Sequence, residues 1–183
     1  MDVQDAILTR CSIRKYRADP VPETILRNIL AAGRQGPSWA NTQTPRFVVV
    51  GDGELRRQLA ATLSLNNPAG TAMQQAPLVI VGCALRGLAG FKRGEASTDK
   101  GDWFMFDAGI AMQNMVLSAH AQGLGTVYVG AFDAAAVEKI VGVPDGVSVI
   151  AMLVLGYPDQ EPAERPRLDI SELVSYERYG QPK

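Results

Sequence analysis

The side chains best equipped for chemistry are arginines in two short alternations. Arg10, Ser12 and Arg14 are spaced by two near the N-terminus, and Arg165 and Arg167 flank Pro166 near the C-terminus. In extended backbone such residues share one side, and the residue before a proline is held extended. Each group then presents guanidinium forks together, with Ser12 adding a hydroxyl, and planar bidentate donors suit a phosphate. Either group, taken singly, is equally well a solvated basic stretch. A third group, Pro37, Ser38, Trp39, Ala40, Asn41, Thr42 and Gln43, combines an aromatic plate with amides and hydroxyls. A planar heteroaromatic ligand needs a stacking surface and edge hydrogen bonds of this kind, although a turn anchored by its Trp needs no ligand. The fourth group is GLGTVYVGAFD, residues 123–133. Gly130 and Ala131 follow a strand pattern that contains Tyr128 and Val129, and they precede a helix pattern. Small residues there let a backbone N–H approach a flat ligand, or simply connect strand to helix.

Other chemistries lack their parts. His120, in SAHAQG, is the single histidine, and it is read as a packed or surface residue of a helix. Cys11 and Cys83 have neither redox nor metal-ligand spacing. Gly123 and Gly125 precede a strand, whereas a dinucleotide fingerprint follows one. No acidic cluster suits a hard metal. With 18 Lys plus Arg against 19 Asp plus Glu the net charge is −1, which argues against nucleic-acid binding. The longest apolar run, Val149–Leu155, is too short to span a bilayer. The acidic start MDVQDAILTR has no signal core, and two cysteines fit a reducing cytoplasm. A chain of 183 residues, 46% hydrophobic, suits one folded domain.

The elements that must position these groups follow from periodicity. Helices are expected from Val3 to about Arg10, capped by Asp2, and from about Pro22 to Arg34. Gly53–Ser64, Asp102–Gln122 and Asp133–Val141 are also read as helices. Strands are expected at Arg46–Val50, Pro77–Ala84, Thr126–Val129 and Val147–Leu155. CSIRKYRADPVP reads as extended and GPSWANTQTP as a loop. Leu65–Gln75 shows no clear period and is read as a mobile loop. Leu85–Lys100 is read as flexible and polar. Asp102–Gln122 is apolar on most sides, so it is expected to be buried against both a sheet and another subunit. Strands alternating with helices indicate an α/β or α+β domain. Residues 1–160 form that domain, and 161–183 form a tail with weak helical character.

Taken together, the four groups resemble the nitroreductase family of FMN-dependent oxidoreductases. The matching segments are RCSIRKYRADPVPETILRNILAAGRQGPSWANTQTPRFVVV at 10–50, GLGTVYVGAFDAAAVEKIVGVPDGVSVIAMLVLGYP at 123–158 and RPRL at 165–168. The resemblance implies an α+β, three-layer α-β-α fold with a mixed central sheet. It also implies an obligate homodimer with FMN at the subunit interface. Arg10, with Cys11 through its backbone, and Ser12 are then expected at the phosphate and ribityl chain, and Arg165 and Arg167 complete the phosphate clamp. Arg14 is expected near flavin N1 and O2. Pro37, Ser38, Trp39, Asn41 and Gln43 are expected from the partner subunit. Gly130 is expected to donate its N–H to flavin N5, beside Tyr128, Val129 and Ala131.

The implied activity is a ping-pong hydride transfer through flavin N5, from NADH or NADPH to a nitroaromatic, quinone or related electron-poor acceptor. No catalytic side chain is needed, because the cofactor carries the chemistry. The sequence departs from the family where Gly130 replaces a frequent glutamate. It also departs in NNPAGTAMQQ, which has no Lys for the flavin pyrimidine edge and offers Asn66 or Asn67 instead. Within the same fold the alternatives are an enone reductase, dehalogenase or dehydrogenase. Outside it they are an FMN carrier or sensor without turnover, or a domain for another phosphorylated ligand.

Overall fold

The computed structural model of the chain describes residues 1–161 and 165–181. In order, the elements are α1 (Val3–Thr9), α2 (Glu23–Arg34), β1 (Pro45–Val50), α3 (Gly53–Ala61), α4 (Ala69–Gln75), β2 (Leu78–Leu85), β3 (Phe91–Lys92), β4 (Glu95–Ala96), α5 (Phe104–Ala121), β5 (Gly125–Val129), α6 (Ala134–Val141), β6 (Val147–Gly156) and α7 (Ile170–Leu173). Local chemistry sets several starts. Asp2, Asp52 and Asp133 accept hydrogen bonds from backbone N–H groups at the starts of α1, α3 and α6, as N-cap residues do.

The central sheet has the order β1-β2-β6-β5, and its neighbouring strands run antiparallel. Its parallel component is the bridge from Ser12 to Thr126. Alternation along the inner strands feeds two separate cores. Val79 and Val81 of β2 and Met152 and Val154 of β6 join Leu59, Met73 and Val137 from α3, α4 and α6. Ile80, Leu153 and Leu155 point the other way, into Ile29 of α2 and Met112, Met115 and Val116 of α5. Period-two side chains on a sheet covered on both faces thus produce three layers.

Packing of α2 on α5 is close because glycines face it. A Cβ on Gly33 would stand 2.7 Å from Met115 Cγ, and one on Gly36 would stand 2.9 Å from Ala111 Cα. The antiparallel run continues one step further, where the Trp39 N–H donates to Asp107 Oδ1 at 3.0 Å. Steps of three from residue 33 to 39 therefore meet steps of four from 115 back to 107.

Two segments differ from expectation. Residues 69–75, read as part of a mobile loop, form α4. Ala69, Ala72 and Met73 are buried, and the Arg56 guanidinium of α3 donates to the carbonyls of Gln74 and Ala76 at the helix end. Residues 91–96, read as flexible, form the hairpin β3–β4. Its two-residue loop is left-handed at both positions, Arg93 at φ 54° and Gly94 at φ 83°, as a type I′ turn requires. Residues 162–164 and 182–183 of the expected tail lie outside the described residues. The tail from 165 to 181 is exposed throughout. Among the described residues, no helix is long and apolar enough to cross a membrane.

Candidate functional site

The N-terminal arginine segment is pinned by its backbone, leaving its side chains for other use. Ile13 N–H donates to Thr126 O at 2.9 Å, and the Ile13 side chain is buried against Gly125, where a Cβ would stand 2.7 Å from it. Ser12 and Arg14 on either side are only half-buried, as is Arg10. This is the alternation the spacing predicts. Beyond it, residues 15–17 pair with the chain leaving β6. Arg17 N–H donates to Tyr157 O at 3.0 Å and Asp159 N–H to Lys15 O at 2.9 Å. The Gln160 Oε1 accepts from both Arg14 N–H and Lys15 N–H, each at 2.9 Å. Gln160 escaped the sequence reading, because nothing in its neighbourhood shows that its amide would cap residues 146 positions away.

The turn after β5 is held by the connection between α3 and α4. Ser64 N–H and Asn67 Nδ2 both donate to Ala131 O, at 3.2 and 3.3 Å, and Leu63 bridges Phe132. Of the two asparagines singled out in NNPAGTAMQQ, it is the Asn67 side chain that reaches this turn. Gly130 is exposed, and a Cβ placed on it would meet nothing within 4 Å. Tyr128 and Ala131 are exposed, whereas the Val129 side chain is buried in the core. Val129 therefore offers a ligand only its backbone.

Arg10 ties these two groups together electrostatically. The partial burial of Tyr128, which keeps 42% of its surface exposed, pushes its phenol up to about 12, and the nearby Arg10 charge pulls it the other way. Burial also lowers the His120 pKa, and Arg10 lowers it further. The Thr9 hydroxyl donates to Asp5 O at 2.6 Å and also lies 2.7 Å from His120 Nε2. A hydroxyl has one proton, so His120 Nε2 is the donor in the second contact.

The Pro37–Gln43 loop lies apart from these groups, against the N-terminal turn of α5. Its backbone is left-handed at Ala40 (φ 43°), Asn41 (φ 57°) and Gln43 (φ 50°), a conformation non-glycine residues hold only when their surroundings enforce it. Several contacts do so. Gln43 N–H donates to Ser38 Oγ at 2.9 Å, and Arg46 Nη1 donates to Gln43 O and Pro45 O at 2.8 Å each. Trp39 packs on Trp103 with ring centroids 5.3 Å apart, and Trp103 meets Phe106 edge-on at 5.5 Å. Asp107 accepts from Trp39 N–H and, at 3.3 Å, from Thr44 Oγ1. Asp107 escaped the sequence reading. The available signal was an acidic residue within the otherwise apolar FMFDAGIAM.

Within the chain, among the described residues, no hydrogen bond or ion pair joins this loop to Arg10, Ser12 or Arg14. Arg165 and Arg167 are exposed and likewise make none with the described residues.

Helices on both faces of an antiparallel sheet define a three-layer α-β-α domain. The chain belongs to the nitroreductase family, whose model matches residues 7–157. It is 32% identical over 201 residues to an NADH dehydrogenase of Thermus thermophilus, covering 95% of each chain. It is 31% identical over 180 residues to an NADPH-flavin oxidoreductase of Vibrio harveyi, covering 96% of this chain and 73% of that one. Among solved structures it is similar to an NADPH:FMN oxidoreductase from Vibrio harveyi complexed with NAD+. There the TM-score is 0.81 at 29% identity, over 99% of this chain and 79% of the other.

Proposed function

We propose that the protein is an FMN-dependent oxidoreductase working as a homodimer. In this reading it takes a hydride from NADH or NADPH and, after the nicotinamide leaves, reduces a nitroaromatic, quinone or other electron-poor acceptor. The observation that carries this reading is the cluster at β5, where Arg10, Ser12 and Arg14 surround a buried Ile13 anchored on Thr126, and Arg10 lies near Tyr128, two residues before the open Gly130. A phosphate needs guanidinium and hydroxyl donors, and a flat ring needs a backbone with no Cβ in the way. The chain supplies the donors on the segment bridged to β5 at Thr126 and the open glycine just past the end of β5, so its residues fit FMN. When bound, FMN supplies N5 as the hydride acceptor and stores two electrons between the half-reactions.

The chain's part is to bind and polarise. Arg10 and Ser12 would hold the phosphate and ribityl hydroxyls, with Cys11 contributing backbone. Arg14 would set a fixed positive charge at the N1 and O2 edge, where negative charge develops on reduction. The Gly130 N–H would point to N5, between Tyr128, Val129 and Ala131, with Asn67 beside the turn. Pro37, Ser38, Trp39, Asn41 and Gln43 would reach the same ring from a second copy of the chain. This accounts for their separation from the arginines within one protomer.

The dimer reading rests on exposed apolar surface that a monomer seldom carries. Leu8 of α1 is 79% exposed, Met105 and Phe106 of α5 are 59% exposed, and Ile170 of α7 is 73% exposed. Arg165 and Arg167 of the exposed tail would reach the phosphate of the second copy. The free cysteines Cys11 and Cys83 fit a cytoplasmic setting.

The test is the visible spectrum of the purified protein, followed by oxidation of NADH and NADPH with menadione. A yellow dimer that releases about one FMN per chain and turns over supports the reading. Bound FMN without turnover makes the protein a carrier or sensor, and failure to take up FMN overturns the reading.

A further inference from the structure

We infer that Asp107 is the positioning residue that fixes the Pro37–Gln43 loop in its flavin-binding shape. This rests on the reading above that the loop meets the flavin. Asp107 is 2% exposed, and no cation is bonded to it among the described residues. A buried carboxylate is costly unless its oxygens are satisfied. Here Oδ1 accepts the Trp39 N–H at 3.0 Å and Oδ2 accepts the Thr44 hydroxyl at 3.3 Å. Those two residues bracket the three left-handed positions Ala40, Asn41 and Gln43. Asp107 also lies in the first turn of an 18-residue helix, where the unpaired N–H groups favour negative charge.

The carboxylate therefore clamps both ends of the strained stretch to the 18-residue helix α5. The ends are fixed together, so Ser38, Asn41 and the Trp39 ring keep one arrangement between them. Packing alone does not account for an acid here. Ala108, Ala111 and Met112 fill the same buried face of α5 with apolar groups. An apolar residue at 107 would leave the Trp39 N–H and the Thr44 hydroxyl without partners.

The experiment compares FMN dissociation constants, and melting temperatures with and without FMN, for the full-length protein and its variants. Asp107→Ala should weaken FMN about ten- to a hundredfold, while the melting temperature without FMN falls less than the FMN-dependent rise does. Asp107→Asn keeps an acceptor for Trp39, and its amide can donate to the Thr44 oxygen, so it should restore FMN binding to within about threefold. An Asn variant as weak as the Ala variant would overturn the inference, because the charge rather than the clamp would then matter. Ser38→Ala and Asn41→Ala separate the two levels. If they weaken FMN and Asp107→Ala does not, the clamp is wrong; if neither they nor Asp107→Ala does, the loop reading itself fails. Should Asp107→Ala fold poorly, Thr44→Val decides. It removes one clamp partner at nearly constant volume, and FMN binding about threefold weaker supports the clamp, whereas unchanged binding overturns it.

Discussion

Gly36 and Ala111 meet backbone to backbone. A Cβ on Gly36 would stand 2.9 Å from the Ala111 Cα and 3.1 Å from its amide nitrogen, and neither atom can swing away as a side-chain tip can. Gly36 is the residue from which the chain leaves α2 for the Pro37–Gln43 loop. Gly36→Ala should therefore destabilise the protein by about 1–3 kcal/mol and weaken FMN binding by moving the loop off α5. Gly70, in α4, is the control, since a Cβ there meets nothing within 4 Å. Gly70→Ala should stabilise by about 0.5–1 kcal/mol. Urea unfolding of both variants checks the contrast, and equal effects would remove the steric argument.

Arg10 is expected to act on the phosphate rather than on the ring. Arg10→Ala should weaken FMN by about ten- to a hundredfold, while riboflavin, which lacks the phosphate, should bind the variant and the parent alike. Fluorescence titration with the two ligands measures this. An equal loss for both would move Arg10 away from the phosphate.

Gln160 fixes the backbone under Arg14 through a single oxygen shared by two N–H groups. Gln160→Ala leaves both donors without that acceptor, at a cost of about 1–2 kcal/mol in stability. The reduction potential of bound flavin should fall as the Arg14 charge loses its fixed place. Gln160→Glu keeps an acceptor oxygen and should recover most of the stability. A potential unchanged in the Ala variant would separate Gln160 from the flavin site.

His120 makes stability depend on pH in a defined direction. Its folded pKa is lowered, by burial first and by Arg10 second. As pH falls through the ordinary histidine value near 6.5, the unfolded chain takes up the proton before the folded one does. Stability attributable to this group is therefore fully present above that value and declines as pH falls toward the folded pKa. The urea midpoint of the parent should drop more between pH 7.5 and 5.5 than that of His120→Gln, whose amide still donates to Thr9. Parallel pH profiles for the two proteins would exclude the residue.

Trp39 packs on Trp103 with ring centroids 5.3 Å apart. Trp39→Ala should raise KM for aromatic acceptors several-fold and change KM for NADH or NADPH less. Steady-state kinetics with menadione and a nitroaromatic test this, and unchanged constants would remove Trp39 from acceptor binding.

Local chemistry in the chain was enough for most elements, whereas the flavin followed only from the resemblance of the four groups taken together. Asp caps, proline breaks and apolar periods mark α1, α2, α3, α6 and the sheet strands to within a few residues of their observed ends. The alternation of Arg10, Ser12 and Arg14 around Ile13 was legible because a strand's period of two needs no tertiary context. The α4 helix was not, because the seven residues AGTAMQQ, although Ala, Met and Gln favour helix, are too few to show a clear period or to be stable alone. It is helical where Ala69, Ala72 and Met73 are buried and Arg56 takes up its terminal carbonyls. The β3–β4 hairpin was hidden for a related reason, since its strands are two residues each and only the turn Arg93–Gly94 carries a signal.

The sequence by itself determined which residue types are on hand for a phosphate and a flat ring, because such ligands demand particular donors and particular empty space. Only the tertiary structure decided which distant groups hold them in place. Gln160 under Arg14, Asn67 under Ala131 and Asp107 under Trp39 are hydrogen-bond pairs 146, 64 and 68 residues apart. Such pairing depends on how the layers stack, and stacking follows from burial summed over the whole chain rather than from any local pattern.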